Sequence, residues 1–166
     1  MTHPLEATLE DRDGHWVLTF TRDFGRAVAD VWPWITDPDY LRRWSPVVPD
    51  RNLDSVGPAQ IRENPGDDPV DGTVIAVDPP HELVHKWGPH VLRWRLTSTG
   101  TGCRLTLEQQ MPERTHAAEN AGGWHICLDV LEGNLNGDNP DRLVGDVVME
   151  HGFAQLRDGY RKVLGG

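Results

Sequence analysis

One stripe of residues between about Thr115 and Gly137 limits what this chain can fold into. Ala117, Ala121, Trp124, Leu128, Leu131 and Leu135 recur with a 3.6-residue period, as they do along one side of a helix. At 1.5 Å rise per residue the run predicts a helix roughly 33 Å long, enough to cross a small domain. Glu119, Asp129, Glu132 and Asn136 fall off the stripe and mark the face expected to meet solvent. Gly137 supplies a left-handed cap at the end.

A stripe that long needs an extended surface to cover it, and the preceding residues read as strands. Leu5, Ala7 and Leu9 alternate with polar residues, and Trp16, Leu18 and Phe20 resume the alternation after Asp13-Gly14. That pattern predicts a β-hairpin. Val28, Val31, Trp32 and Ile35 then set a helical stripe, which Pro33 ends or kinks near its last turn. Thr36-Asp37-Pro38 places a cap before a proline and opens a second short helix, expected to run through Trp44.

From Pro46 the chain reads as strands and turns, including Ala59 to Glu63, Thr73 to Val77, and a polar loop from Asn64 to Pro69. Leu83, His85 and Trp87 share one face of the next strand, and Leu92, Trp94 and Leu96 share one face of its neighbour. Leu105, Leu107, Gln109 and Met111 face inward from a third strand, with Arg104, Thr106, Glu108 and Gln110 outward. This is the signature of an antiparallel sheet with one wet face. Leu143, Val147, Phe153, Leu156 and Tyr160 predict a further helical piece after Asn139-Pro140. The expected fold is α+β: a curved antiparallel sheet with a long C-terminal helix and two short helices after the first hairpin. A single domain is expected across residues 1–166.

The net charge of −10 argues against nucleic acid or an anionic membrane as partner. No stretch approaches the length of a membrane span, and His3, Pro4 and Glu6 interrupt any apolar leader. A soluble, cytoplasmic protein is expected, with Cys103 and Cys127 as buried thiols. Groups with catalytic spacing are missing: there is no zinc pattern, phosphate loop, nucleophile elbow or triad. No catalytic residue, metal or cofactor is therefore assigned. His85, on an inward face, reads as a satisfied core histidine before it reads as a catalyst. Seven tryptophans are the stronger signal. Trp87 and Trp94 look inward from adjacent strands toward Trp124 on the helix, an arrangement suited to an aromatic-walled pocket. Trp32 reads as core and Trp34 as surface.

The run Val31-Trp32-Pro33, Thr36-Asp37-Pro38 and Leu41-Arg42-Arg43-Trp44 resembles the opening motif of the START-like (SRPBCC) superfamily. Within it the chain most resembles the branch related to the activator of heat-shock-protein ATPase. Asp78-Pro79-Pro80 with Leu83 and Trp87, Leu92 to Leu96, Cys103 to Leu107, and Gly123-Trp124-His125 with Leu128, Leu131, Leu135 and Gly137 extend the likeness over about residues 5 to 137. The resemblance implies a helix-grip fold with a cavity between sheet and helix, and it puts Trp44 at the cavity mouth. It implies members that bind apolar small molecules, cyclise polyketides or assist a chaperone. Gln109 departs from the histidine of many relatives, so no histidine chemistry is carried over there.

The residues favour binding of a hydrophobic, aromatic or polycyclic small molecule. The candidate ligand-binding set is Trp32, Trp44, His85, Trp87, Leu92, Trp94, Gln109, Met111, Trp124, Leu128 and Leu131. The alternatives are a polyketide cyclase or aromatase using His85 or Gln109, and a chaperone-associated interaction module. The resemblance further implies antibiotic self-resistance of the enediyne type, by sequestration or by sacrificial cleavage beside a cavity glycine.

Overall fold

The computed structural model describes residues 4–144 and 152–165. The chain opens with β1 (Ala7–Arg12) and β2 (His15–Phe24), followed by α1 (Val28–Thr36) and α2 (Pro38–Leu41). Short strands β3 (Val48–Pro49), β4 (Gln60–Arg62) and β5 (Val70–Asp71) come next. Then follow β6 (Val74–Asp78), β7 (Glu82–Trp87), β8 (His90–Ser98), β9 (Cys103–Met111), α3 (Ala117–Leu135) and α4 (Phe153–Leu164). A six-stranded antiparallel sheet runs in the order β1-β2-β9-β8-β7-β6, and β3-β4-β5 form a smaller one.

Local chemistry explains the elements. Asp13 (φ 54°) and Gly14 (φ 87°) both take left-handed conformations, as a two-residue hairpin turn requires. Asp37 caps α2 by accepting the Asp39 N–H at 2.9 Å, with Pro38 in the first helical position. The second helix stops at Leu41 and does not reach Trp44, the end expected from the sequence. Pro46 disfavours helical backbone at Ser45, and the Trp44 indole turns back to donate to Trp34 O at 2.9 Å. On α1 the buried stripe is Val28, Val31, Trp34 and Ile35, so Trp34 is buried and Trp32 only half-buried. This reverses the sequence expectation: 31, 34 and 35 complete the helical spacing, and position 32 lies one step off it.

Register brings the inward residues together. Leu83 faces Trp94, His85 faces Leu92, Leu92 faces Gln109, and Trp94 faces Leu107 across neighbouring strands. All of them are buried. Helix α3 lies against this face with its expected stripe, Ala117 through Leu135, fully in the core. Gly137 (φ 84°) closes it, with Asp138 N–H on Gly133 O and Gly137 N–H on Asn134 O.

The rest of α3 is only partly the solvent face the stripe implied: Asp129 and Asn136 are exposed, and Glu119 and Glu132 are half-buried. Ala118, His125, Ile126 and Val130 are also buried, because α4 packs along them. Gly122 makes room for it: a Cβ there would stand 3.3 Å from the Phe153 ring and from Arg157 N. His125 Nδ1 meets Tyr160 Oη at 2.7 Å, and Arg22, itself buried, pairs with Asp129 at 2.8 Å. The predicted helical tail thus exists over Phe153 to Leu164, while Leu143, expected to begin it, lies in irregular backbone and Val147 lies outside the described residues. Cys103 and Cys127 are free and buried. Among the described residues no helix is long and apolar enough to cross a membrane.

The docking of α4 gives the first prediction. Tyr160→Phe takes one partner from buried His125, so it should cost about 1–3 kcal/mol in urea unfolding. An unchanged unfolding free energy would mean that this hydrogen bond contributes nothing to holding α4.

Candidate functional site

The inward tryptophans pack first on one another. Trp44 meets Trp94 edge-on at 6.0 Å between centroids, Trp94 meets Trp124 at 5.6 Å, and Trp124 meets Trp87 at 5.7 Å. Edge-to-face geometry is the favoured arrangement for stacked quadrupoles. The indole N–H groups need acceptors once buried, and the sheet supplies them. Trp94 Nε1 donates to His85 Nε2 at 3.1 Å, and Trp124 Nε1 donates to Gln109 Oε1 at 2.9 Å.

These bonds settle the state of the two polar candidates. His85 accepts at Nε2, so its proton sits on Nδ1, which donates to Lys86 O at 2.9 Å. Burial lowers its pKa to about 4. Both ring nitrogens are occupied by the protein, and the imidazole is neutral at pH 7. Gln109 is likewise engaged: its Nε2 lies 3.3 Å from both His90 Nδ1 and Asn120 Oδ1. Burial also lowers the His90 pKa.

The open space lies beyond this wall, at its outer edge. A cavity of about 210 Å³ is bounded by Trp87, Trp124, Gly123, Cys127, Asn120 and Glu119, with Pro46, Glu63 and Val144 closing its sides. Of the eleven candidates, Trp87 and Trp124 line it. Trp44, His85, Leu92, Trp94, Gln109, Met111, Leu128 and Leu131 are buried in the core behind it, and Trp32 stands half-buried outside. Gln109 touches the site through its bond to Trp124.

Gly123 is the residue that the tryptophan reading missed. A Cβ built there would meet nothing within 4 Å, whereas its neighbour Gly122 is pressed by α4. Glycine inside a helix costs roughly 0.5–1 kcal/mol relative to alanine. Gly122 has a packing reason for that cost. Gly123 has none, and what its bare backbone leaves is room in the cavity. Two adjacent glycines in an uninterrupted helical pattern were the available signal. Cys127 also lines the cavity, its thiol pushed up to about 12 by burial, so it is protonated and unreactive at neutral pH. Among the described residues no group of three His, Cys, Asp or Glu side chains converges to hold a metal.

The family model described as "Activator of Hsp90 ATPase homolog 1-like protein" matches residues 26–136. Solved structures repeat the fold. A conserved protein of unknown function, EF2215 from Enterococcus faecalis, superposes with a TM-score of 0.75 at 16% identity, covering 95% of this chain and 90% of that one. CalU16 from Micromonospora echinospora, solved by NMR, superposes with a TM-score of 0.73 at 19% identity over 95% of this chain and 90% of its own. DynU16, a protein in the dynemicin biosynthetic locus, is 24% identical with a TM-score of 0.66, covering 76% of this chain and 49% of that one. No curated protein sequence matches the chain.

His85 carries a pH prediction. Its folded pKa of about 4 lies below the ordinary 6.5, so folding favours the neutral ring. Its contribution is complete above pH 6.5 and is lost as pH falls toward 4, by about 3 kcal/mol in all. Urea midpoints should therefore drop over that window in the wild type, with a shallower fall in His85→Gln. Equal slopes would mean that His85 titrates normally in the folded state.

Proposed function

The chain belongs to the family of activator of Hsp90 ATPase homolog 1-like proteins, and from that premise we propose that it binds a hydrophobic aromatic small molecule. The observation that carries the reading is the Gly123 gap beside two indoles. The helix forgoes a side chain at the one point where Trp87 and Trp124 flank open space. A flat ring system fits there, against one bare stretch of backbone and two aromatic walls.

Binding is favoured over catalysis because the two polar groups on the sheet side of the wall are committed, while Glu119 at the cavity edge keeps one buried oxygen without a hydrogen-bond partner among the described residues. His85 and Gln109 are held by Trp94, Lys86 and Trp124, so neither offers a free proton-transfer group to a cyclising substrate. The exposed large apolar residues Val56, Val70, Ile75 and Val163 lie away from this cavity, so they supply no apolar rim to it.

Sequestration of an enediyne-type antibiotic is the biological use this reading extends to, and DynU16 is the reason to try that class first. Gly123 is also where a sacrificial step would fall. A bound diradical that takes a hydrogen atom from Gly123 Cα forms a new C–H bond on the ligand. The radical left behind is stabilised by its two flanking amides. Dioxygen adding to that radical then leads to backbone scission. Incubation with an activated enediyne, read by intact mass, should yield fragments that end beside Gly123. Binding with intact mass leaves sequestration alone, and fragments ending elsewhere remove Gly123 from the proposal.

A further test separates site from scaffold. The neutral probe 1-pyrenebutanol should quench tryptophan fluorescence saturably with micromolar affinity, equivalent to about −8 kcal/mol. Gly123→Leu should fill the gap and abolish that binding while leaving the fold intact, since leucine favours a helix over glycine by up to about 1 kcal/mol. Unimpaired binding in a stably folded Gly123→Leu would move the ligand elsewhere.

A further inference from the structure

The cavity at Trp87 and Trp124 shares a lining residue with another. Glu63 also borders a second cavity of about 540 Å³, and that one is lined by Arg42, Arg62 and Arg142. Three guanidiniums in one cavity stand out in a chain of net charge −10. Asp50 and Glu63 are the carboxylates in the same walls, so three cations face two anions there, and Asp67 acts on Arg142 from just outside them.

The acids and the bases there are committed differently. Asp50 already accepts the Gln60 N–H at 3.0 Å. Arg142 is half-buried and spends its donors on backbone: Nε on Ser45 O at 2.9 Å and Nη2 on Glu63 O. Burial lowers its pKa, against the opposing pull of Glu63. Arg62 donates to Asp67 O at 3.1 Å. Among the described residues, neither Arg142 nor Arg62 has a carboxylate within ion-pair distance. Among the described residues Arg42 is paired only with Asp39, at 3.4 Å and with both side chains exposed. A half-buried cation without a matched anion is a cost that a bound anion removes.

We propose that the ligand is an aromatic carboxylate, its rings against Trp87 and Trp124 and its acid group in the cavity of Arg42, Arg62 and Arg142. The inference rests on the aromatic-ligand reading of the first cavity and adds the charge of the ligand to it. Guanidinium forks match a planar carboxylate in a bidentate manner, and such bonds are about twice as strong as neutral ones. Glu63 lines both cavities, so its charge repels the acid in either one, and the guanidiniums decide where the acid settles.

A matched pair of probes tests this: 1-pyrenebutyrate and 1-pyrenebutanol, which share a ring system and a four-carbon arm. At 50 mM salt the acid should bind at least tenfold more tightly than the alcohol, and the gap should close at 0.5 M salt. Arg42→Gln with Arg62→Gln should erase the preference while leaving affinity for the alcohol unchanged. Those two are the residues to change, because Arg142 also ties the chain to Ser45 and Glu63. Equal binding of the two probes to the wild type would overturn the inference and leave the aromatic site standing. A preference that survives the double variant would also overturn it. Failure of both probes to bind would remove the aromatic reading, and this inference with it.

Discussion

Two indole N–H groups set the terms for the interior. Trp94 and Trp124 bury large rings between sheet and helix, and an unpaired N–H at either place would cost about 1–3 kcal/mol. Each finds its acceptor on a neighbouring strand, His85 for one and Gln109 for the other. The bonds fix the tautomer of His85 and the orientation of Gln109, and the second of them ties α3 to β9. They also consume the two polar groups that the sheet would otherwise offer a ligand, His85 and Gln109. The centre of the fold is therefore a packed aromatic wall, and ligand chemistry is pushed to the edge where Trp87 and Trp124 meet open space.

Helix α3 serves two surfaces at once, which explains its glycine pair. Toward α4 the helix must come close, and Gly122 lets the Phe153 ring and the Arg157 backbone reach it. The next residue turns by about 100° and looks into the cavity, where Gly123 leaves space untouched. The segment after α3 matters for the same site. Val144 closes one side of the cavity, and Arg142 links Ser45 to Glu63 across the boundary with the second cavity. A chain ending at Gly137 would lose both.

Much of this was legible in the sequence because periodicity reports burial directly. The alternation at Leu92, Trp94 and Leu96 and at Leu105, Leu107, Gln109 and Met111 named the inward face, and the α3 stripe named the residues that cover it. The order of hairpin, two short helices, sheet and long helix followed from turn and cap residues. What periodicity cannot report is whether inward side chains leave a gap between them. Trp94 and Trp87 share one pattern, yet Trp94 is sealed in the core and Trp87 borders open space. The second burial of α3 was hidden too, because His125 and Ile126 look unremarkable until α4 is set against them. Glu63 and Arg142 join the site from segments far apart in sequence, and no local spacing links them.

On this reading the ligand meets the outer edge of the tryptophan wall and not its middle. Amide and indole ¹H–¹⁵N correlation spectra, titrated with 1-pyrenebutanol, test it residue by residue. Binding at the edge should give large shifts for the Trp87 and Trp124 indoles and the Gly123 amide, with the Trp44 indole nearly still. Shifts centred on Trp44 and Trp94, with Trp87 and Gly123 unmoved, would contradict it and put the ligand in the core.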